Sequence, residues 1–394
     1  MPDKKTRLSA QAGYLLLFSS YAILTPYLPL YLKARGFPPS RIGLLLGSLE
    51  LAGIAGPILV ASLADRRTAY RAFLAAALLL PALLLVPLQL STTLPLAFLC
   101  IAGIGFAYRS AIPLLDSLVG RVLPDPTGQY GRIRVAGSIG FIATSLFFQI
   151  TGLISGDSAL SILTSFAATV VLAAGTIAFL PRVPHLTRVP QAARAVVSRT
   201  PASGFDASFW AVIGVIFLAR FGISAYYSFF SLFLLERFAL TNVSLIWSIG
   251  SVAEIGTIFF SGLLIARFGI RRLLLVSLAA ISLRLAIYGL SPSLVLVAAA
   301  QLLHAFTFGT LHTASVAYVN QKIGGPRRGL GMAIYNAVGI GVPNFIASSV
   351  GGYLLEARGF STLFLVYAAV PIAGIVALAA FGRRLLPRKG FDIS

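Results

Sequence analysis

Eight ionisable side chains interrupt long apolar stretches of this 394-residue chain. They are three acids, three arginines and two histidines: Glu50, Asp116, Glu254, Arg109, Arg220, Arg284, His304 and His312. A charge at the centre of a bilayer costs at least about 3 kcal/mol on insertion scales, so a charge kept there should face a partner or a water-filled cavity. Carboxylates, guanidinium groups and imidazoles together suit the binding of a polar solute and the exchange of protons.

Helical spacing relates several of these side chains. Arg109 and Asp116 are seven residues apart, so they share nearly one face of a helix at about 10 Å, which favours a common cavity over a direct pair. His304 and His312 are eight residues apart, which separates them by about 12 Å and about 80° on a regular α-helix. The two histidines therefore cannot share a metal ion.

Two polar stripes run along otherwise apolar helices. The first contains Arg220, Ser224, Tyr227 and Ser231, and the second contains Trp247, Ser251 and Glu254. Residues at such spacings share a helix face, so each stripe should face water or solute. An indole ring near a carboxylate suits sugars and aromatic acids. The alternative is polar packing between helices, worth about 0.6 to 2 kcal/mol per contact.

The sequence lacks the motifs of the common membrane enzymes. It has no HExxH motif, nucleophile elbow, phosphate loop or cysteine cluster, and its single cysteine is Cys100. We therefore predict neither an enzyme nor a metal or cofactor site. Because a Walker lysine motif is also missing, the energy source of any transport should be an ion gradient.

The composition of the chain indicates a membrane protein. It is 58% hydrophobic and 11% charged, with a mean hydropathy of +0.91. A span needs roughly 20 apolar residues, so this length holds about a dozen membrane helices. The apolar runs predict helices over residues 8–34, 39–64, 70–90, 94–122, 132–154, 158–181, 207–236, 241–266, 270–290, 293–322, 327–355 and 360–385.

The 31 lysines and arginines are distributed unevenly between these helices. Alternate loops and the two ends of the chain hold 23 of them, the intervening loops hold 5, and the other 3 lie inside helices. This positive-inside asymmetry predicts that both termini are cytoplasmic, and it excludes nucleic acid as the partner of the +20 net charge. The first apolar run is longer than a signal-peptide core, so we expect it to remain as a helix.

The chain reads as two related halves. We predict one six-helix bundle over residues 1–181, a cytoplasmic linker over 182–206 and a second bundle over 207–394. Short similar segments end the second and eighth helices, with Asp65 and Arg66 in the first copy and Gly262, Arg267 and Arg271 in the second. Both copies resemble the loop signature of the major facilitator superfamily, which implies a gating role. The alternative is an ordinary basic loop.

A more specific resemblance begins at residues 129–138, which read QYGRIRVAGS. It continues in residues 31–33, 42–47, 113–116, 225–227, 247–254 and 303–307 and at His312. This ordered set resembles the proton-linked permease branch of the superfamily, which includes lactose permease and the phenylpropionate permeases.

The resemblance implies roles for particular residues. Asp116 and Arg134 stand eighteen residues apart, as the substrate-binding pair does in lactose permease. Glu254, Arg284 and His304 occupy the positions of its proton-coupling cluster. Thr307 is a departure, because lactose permease has a proton-carrying glutamate there. Glu254, Asp116 or His304 should then carry the proton, unless the protein is a uniporter.

These inferences predict an all-α major facilitator fold of twelve transmembrane helices in an inner membrane, as a monomer. The expected function is proton-coupled uptake of a small organic solute, such as an aromatic carboxylate, by alternating access. The alternatives are a sugar or nucleoside symporter, then a uniporter or drug exporter, then a receptor that transports nothing. The expected solute-binding residues are Asp116, Arg134, Arg109, Arg220, Tyr227 and Trp247.

Overall fold

A computed structural model describes residues 4–90, 92–122, 126–180, 204–323 and 327–385. The described residues form helices and connecting turns, with no β-strand among them. The helices are α1 (Lys4–Ala34), α2 (Pro39–Arg67), α3 (Tyr70–Leu90), α4 (Leu94–Val122), α5 (Pro126–Thr151), α6 (Ala159–Ile177), α7 (Ala207–Phe238), α8 (Ser244–Phe259), α9 (Ser261–Leu290), α10 (Leu294–Ala299), α11 (Leu311–Lys322), α12 (Arg328–Ile334) and α13 (Val342–Leu385). In lipid, helices satisfy their own backbone hydrogen bonds, which explains why apolar runs take this form.

The last four helices belong to two longer helical segments. A 3₁₀ turn (Ala300–Leu303) and a π turn (Ala305–Thr310) connect α10 to α11, and a second π turn (Tyr335–Gly341) connects α12 to α13. Single π turns of this kind occur frequently at functional sites.

Ten segments within the described ranges are long and apolar enough to cross a membrane, and α8 is a shorter apolar helix. The chain is therefore a multi-pass membrane protein. Gly269 interrupts α9 with φ 73°, and Gly359 interrupts α13 with φ 76°. Both glycines lie where the sequence predicts that one helix ends and the next begins. The count of twelve crossings and the cytoplasmic termini stay predictions.

The chain divides by its internal contacts into two compact units. Unit 1 comprises Met1–Arg188 and Phe229–Ser248, and unit 2 comprises Val189–Ser228 and Ile249–Ser394. Most of the predicted linker, residues 182–206, lies outside the described residues. The sequence-based division into two six-helix bundles stays a prediction.

Two close helix contacts in unit 1 require glycine. A Cβ atom on Gly56 of α2 would lie 2.0 Å from the carbonyl oxygen of Phe106 in α4. A Cβ on Gly105 of α4 would lie 2.2 Å from the carbonyl oxygen of Leu49 in α2. Small residues let helix backbones approach in membranes, where packing replaces the hydrophobic effect as the driving force. This contact fixes α4, which carries two of the ionisable residues, against α2.

The start of α5 differs from the prediction. We expected a helix from residue 132, whereas α5 begins at Pro126. Proline suits the first turn of a helix because its missing N–H would be unpaired there. Arg134 therefore lies about two turns inside the helix.

Candidate functional site

In unit 1, α1 and α5 bring side chains around Asp116 of α4. The hydroxyl of Tyr14 in α1 donates a hydrogen bond to Asp116 Oδ1 at 2.5 Å, and Nε of Arg134 in α5 lies 3.9 Å from the same oxygen. The guanidinium of Arg134 lies over the rings of Tyr14 and Phe18, 5.2 and 4.2 Å from their centroids. We call Tyr14, Phe18, Asp116 and Arg134 the carboxylate cluster. The structure thus brings together Asp116 and Arg134, although the side chains of residues 129–132 lie outside the described set.

The second arginine of unit 1 has a different carboxylate partner. Nη2 of Arg109 in α4 donates to Oε1 of Glu50 in α2, in a part-buried ion pair. Tyr21 of α1 lies beside this pair and donates to the carbonyl oxygen of Tyr108 at 3.3 Å. Arg109 and Asp116 therefore each pair with another residue, so two cations in unit 1 have two carboxylates.

In unit 2, the fully buried Arg284 of α9 organises a network of neutral partners. Its Nε donates to the Tyr288 hydroxyl at 2.7 Å, and its Nη1 donates to His304 Nδ1 at 2.9 Å and to Thr307 Oγ1 at 3.0 Å. Its Nη2 donates to Gln301 Oε1. We call Arg284, Gln301, His304, Thr307 and Glu254 the arginine network. All three residues predicted to couple protons in unit 2 belong to it.

The network fixes the tautomer of His304. A guanidinium can only donate, so the Nδ1 atom that faces Arg284 must accept and carries no proton. The proton of the neutral ring is then on Nε2, which lies 3.3 Å from Oε2 of Glu254 in α8. Protonating Nδ1 would break the bond to Arg284 and place a second cation beside it. Glu254 supplies the one carboxylate of the network.

The π turn alters the expected positions of the two histidines. A regular helix would place His304 and His312 about 80° apart, whereas the π turn widens the helix and aligns residues four apart more closely. The His304 and His312 rings each stack on Phe308, with centroid separations of 5.6 Å and interplanar angles of 5° and 2°. The hydroxyl of Tyr335 lies 3.3 Å from His312 Nδ1. We call His304, Phe308 and His312 the ring stack. Because Phe308 lies between the histidines, they do not share a metal ion.

Arg220 of α7 lies beside the ring stack. Its guanidinium carbon is 5.7 Å from the centroid of Phe308, and the residue is only 4% exposed. Its Nε atom is buried and has no hydrogen-bond partner among the described residues.

Two other residues of the predicted solute site differ in exposure. Tyr227 of α7 is half-buried and makes an edge contact with His304, at 6.3 Å between ring centroids. Trp247 of α8 is 4% exposed, packs against Phe230 and donates from Nε1 to Ser231 Oγ at 3.0 Å. Trp247 therefore forms the polar contact between helices that was the alternative for its stripe.

The predicted gating residues make contacts within their own units. Asp65 accepts hydrogen bonds from Tyr70 and, at 3.1 Å, from Arg121, while Arg66 is exposed. In unit 2, Nη2 of Arg271 donates at 3.0 Å to a carbonyl oxygen of α13, that of Leu378. The other two residues have simple environments: Arg267 lies over the ring of Phe268 at 5.6 Å, and a Cβ on Gly262 would meet nothing within 4 Å. Their gating role stays a prediction.

Sequence reasoning missed several residues of these clusters. Tyr14 and Phe308 carried no signal, because tyrosine and phenylalanine are common in apolar helices. Gln301 did carry a signal in the sequence, because a primary amide in an apolar run, three residues before His304, needs a buried hydrogen-bond partner. Glu50 was recognised as an acid within a helix, but the sequence did not indicate its partner.

The fold and these clusters define a class of protein, the polytopic transporter with ionisable groups inside its helices. The chain matches the MFS_1-like family over residues 7–366 and belongs to that family. It is a transporter of the major facilitator type and not an enzyme.

Curated relatives match nearly the whole chain. The probable 3-phenylpropionic acid transporter of Escherichia coli (strain K12) is 28% identical over 359 residues, which cover 90% of this chain and 92% of that protein. The maltose permease of Geobacillus stearothermophilus is 28% identical over 376 residues, which cover 94% and 93% of the two chains. Among solved structures, the nucleoside transporter NupG matches with a TM-score of 0.77 at 21% identity, over 96% of this chain and 99% of that one. This structural likeness shows the fold.

Proposed function

We propose that the protein takes up a small organic solute together with protons by alternating access, as a monomer in the inner membrane with both termini in the cytoplasm. The first candidate solute is an aromatic carboxylate, as the name of the Escherichia coli relative suggests. Proton movement is assigned to the arginine network. Solute binding is assigned to the carboxylate cluster, Arg109, Arg220, Tyr227 and Trp247.

The arrangement of Glu254, His304 and Arg284 carries this proposal. Glu254 is 23% exposed at its side chain, so a proton can reach it, and its Oε2 lies 3.3 Å from His304 Nε2. Thr307 accepts from Arg284 and cannot ionise, so the network contains a single carboxylate. Asp116 is the alternative proton carrier, because its side chain is 34% exposed and contacts Arg134 only at 3.9 Å.

A sugar symporter is the second candidate, and the similarity to the maltose permease favours it. Sugars are bound through hydroxyl groups, which carboxylates and aromatic rings can hold without a charge on the solute. The carboxylate cluster is compatible with such a ligand, because Asp116 and Arg134 are 34% and 30% exposed and lie beside aromatic rings.

Transport by the purified protein in proteoliposomes tests the proposal. The vesicle interior is made more alkaline than the exterior, and uptake of labelled 3-phenylpropionate, maltose and uridine is followed with and without a protonophore. We expect uphill uptake of one solute, which the protonophore abolishes. Uptake that only equilibrates would indicate a uniporter, and no flux of any solute across a wider panel would refute transport.

A further inference from the structure

The two units differ in how the charges inside their helices are balanced. In unit 1, Arg109 pairs with Glu50, and Arg134 lies beside Asp116. Each cation there has its own carboxylate, so the helices of unit 1 hold no surplus charge at these positions.

Unit 2 has two arginines for one acid. Of the eight ionisable residues that interrupt the apolar stretches, it contains Arg220, Arg284 and Glu254, together with the two histidines. Arg284 hydrogen-bonds four neutral side chains, which disperse its charge without cancelling it. Among these described residues, one cation of unit 2 therefore lacks a balancing anion, which is unfavourable inside a membrane.

Arg220 is the cation that can accept an anion. No hydrogen bond or ion pair joins its guanidinium to any residue in the part of the chain that the structure describes, and its Nε is buried without an acceptor. A nearly buried guanidinium with its donors unused is expensive to keep, unless a ligand supplies the acceptor.

The surroundings of Arg220 indicate the chemistry of that ligand. The Phe308 ring lies 5.7 Å from the guanidinium carbon, and the parallel rings of the ring stack extend from it. A guanidinium binds a carboxylate through two parallel N–H bonds, and flat aromatic faces suit an aromatic group.

We propose that Arg220 binds the carboxylate of an anionic aromatic solute, with Phe308 and its flanking histidines forming the wall beside the bound molecule. The inference rests on the proposed transport function and specifies the charge of its solute. With the anion bound and Glu254 ionised, the charges of Arg220, Arg284, Glu254 and the solute balance. The Asp116–Arg134 pair, which the sequence favours as the substrate pair, is already neutral.

Binding of an acid and its neutral amide to purified protein tests this assignment. 3-Phenylpropionate and 3-phenylpropionamide have nearly the same shape and differ in charge. We expect the wild-type protein to bind the acid at least about 10-fold more tightly than the amide. Arg220→Gln should reduce this ratio to within about 2-fold, because it weakens binding of the acid and leaves binding of the amide unchanged. Arg220→Lys should retain an intermediate preference, because lysine keeps the charge without the planar fork.

Arg237→Gln is the matched control, since Arg237 is exposed in the last turn of the same helix. It should bind both compounds as the wild type does. If Arg220→Gln is not monodisperse in detergent, the lysine variant decides the question through its acid-to-amide ratio. An unchanged ratio in a folded Arg220 variant, or a wild type that binds maltose or uridine but neither probe, would overturn the assignment. Neither result contradicts transport itself. The proposed function would be refuted separately, if wild-type protein in proteoliposomes showed no flux of any solute.

Discussion

Replacement of Glu254 by glutamine tests where the transported proton is held. Glutamine has nearly the same shape as glutamate and keeps an oxygen facing His304 Nε2, which lies 3.3 Å from the carboxylate. It cannot be protonated, and His304 cannot take over while its Nδ1 accepts from Arg284. We therefore expect Glu254→Gln to bind and exchange solute but not to accumulate it.

The solute accumulation that Glu254→Gln should lose can be calculated from the charges that move. One carboxylate carries one proton, and a gradient of one pH unit supplies about 1.36 kcal/mol, which supports about a 10-fold accumulation. A proton that moves with a neutral sugar also carries charge, so a membrane potential of about 100 mV adds 2.3 kcal/mol, or roughly 50-fold. A proton that moves with an anion bound at Arg220 carries no net charge. Accumulation should then stay near 10-fold whether or not a potential is imposed.

The assay uses proteoliposomes in which the pH gradient and a potassium diffusion potential are set separately. Wild-type protein should accumulate the acid about 10-fold per pH unit, and Glu254→Gln should reach only equilibrium. Both should exchange external labelled solute for internal unlabelled solute at comparable rates. Glu356→Gln is the matched control, because Glu356 is an exposed glutamate outside both clusters, and it should behave as the wild type.

Two outcomes would contradict this reasoning. If Glu254→Gln still accumulates solute against a pH gradient, Glu254 is not the proton carrier, and Asp116 becomes the first alternative. If wild-type accumulation rises steeply with the imposed potential, the solute is not a monovalent anion that moves with one proton.

Two further predictions concern stability. The Asp206 carboxylate accepts a hydrogen bond from Lys322 at 2.8 Å, and chiefly this bond lowers the pKa of Asp206 to about 2. The ionised carboxylate therefore stabilises the folded protein fully above about pH 4, and this stabilisation disappears as the pH falls through about 2. The difference in thermal stability between wild type and Asp206→Asn should shrink over that window, and a difference that stays constant would show that the ion pair is not its source. Gly105→Ala places a Cβ 2.2 Å from the Leu49 carbonyl oxygen and should lower the free energy of unfolding by about 1–3 kcal/mol. A Cβ at Gly175 meets nothing within 4 Å, so Gly175→Ala should be neutral or stabilising. Thermal unfolding of both variants in detergent checks this, and equal effects would contradict the close approach of α2 and α4.

The sequence alone determined the class of the protein and most helix positions. Lipid requires each crossing segment to satisfy its own backbone hydrogen bonds. The lengths of the apolar runs and the charged residues between them therefore locate the helices without knowledge of their neighbours. The interruptions at Gly269 and Gly359 could be predicted for the same reason, because they depend on local chemistry. The ionisable residues were equally visible, since a charge stands out in an apolar run.

Only the tertiary structure decided how those residues are partnered. Glu50 and Arg109 are 59 positions apart and Tyr14 and Asp116 are 102 apart, so no local pattern could relate them. The protonated nitrogen of His304 follows from which atom faces Arg284. The alignment of the ring stack depends on a π turn that the sequence did not indicate. The unmatched charge of Arg220 is likewise a property of the packed helices, because a cation can be said to lack a counter-ion only when its neighbours in space are known.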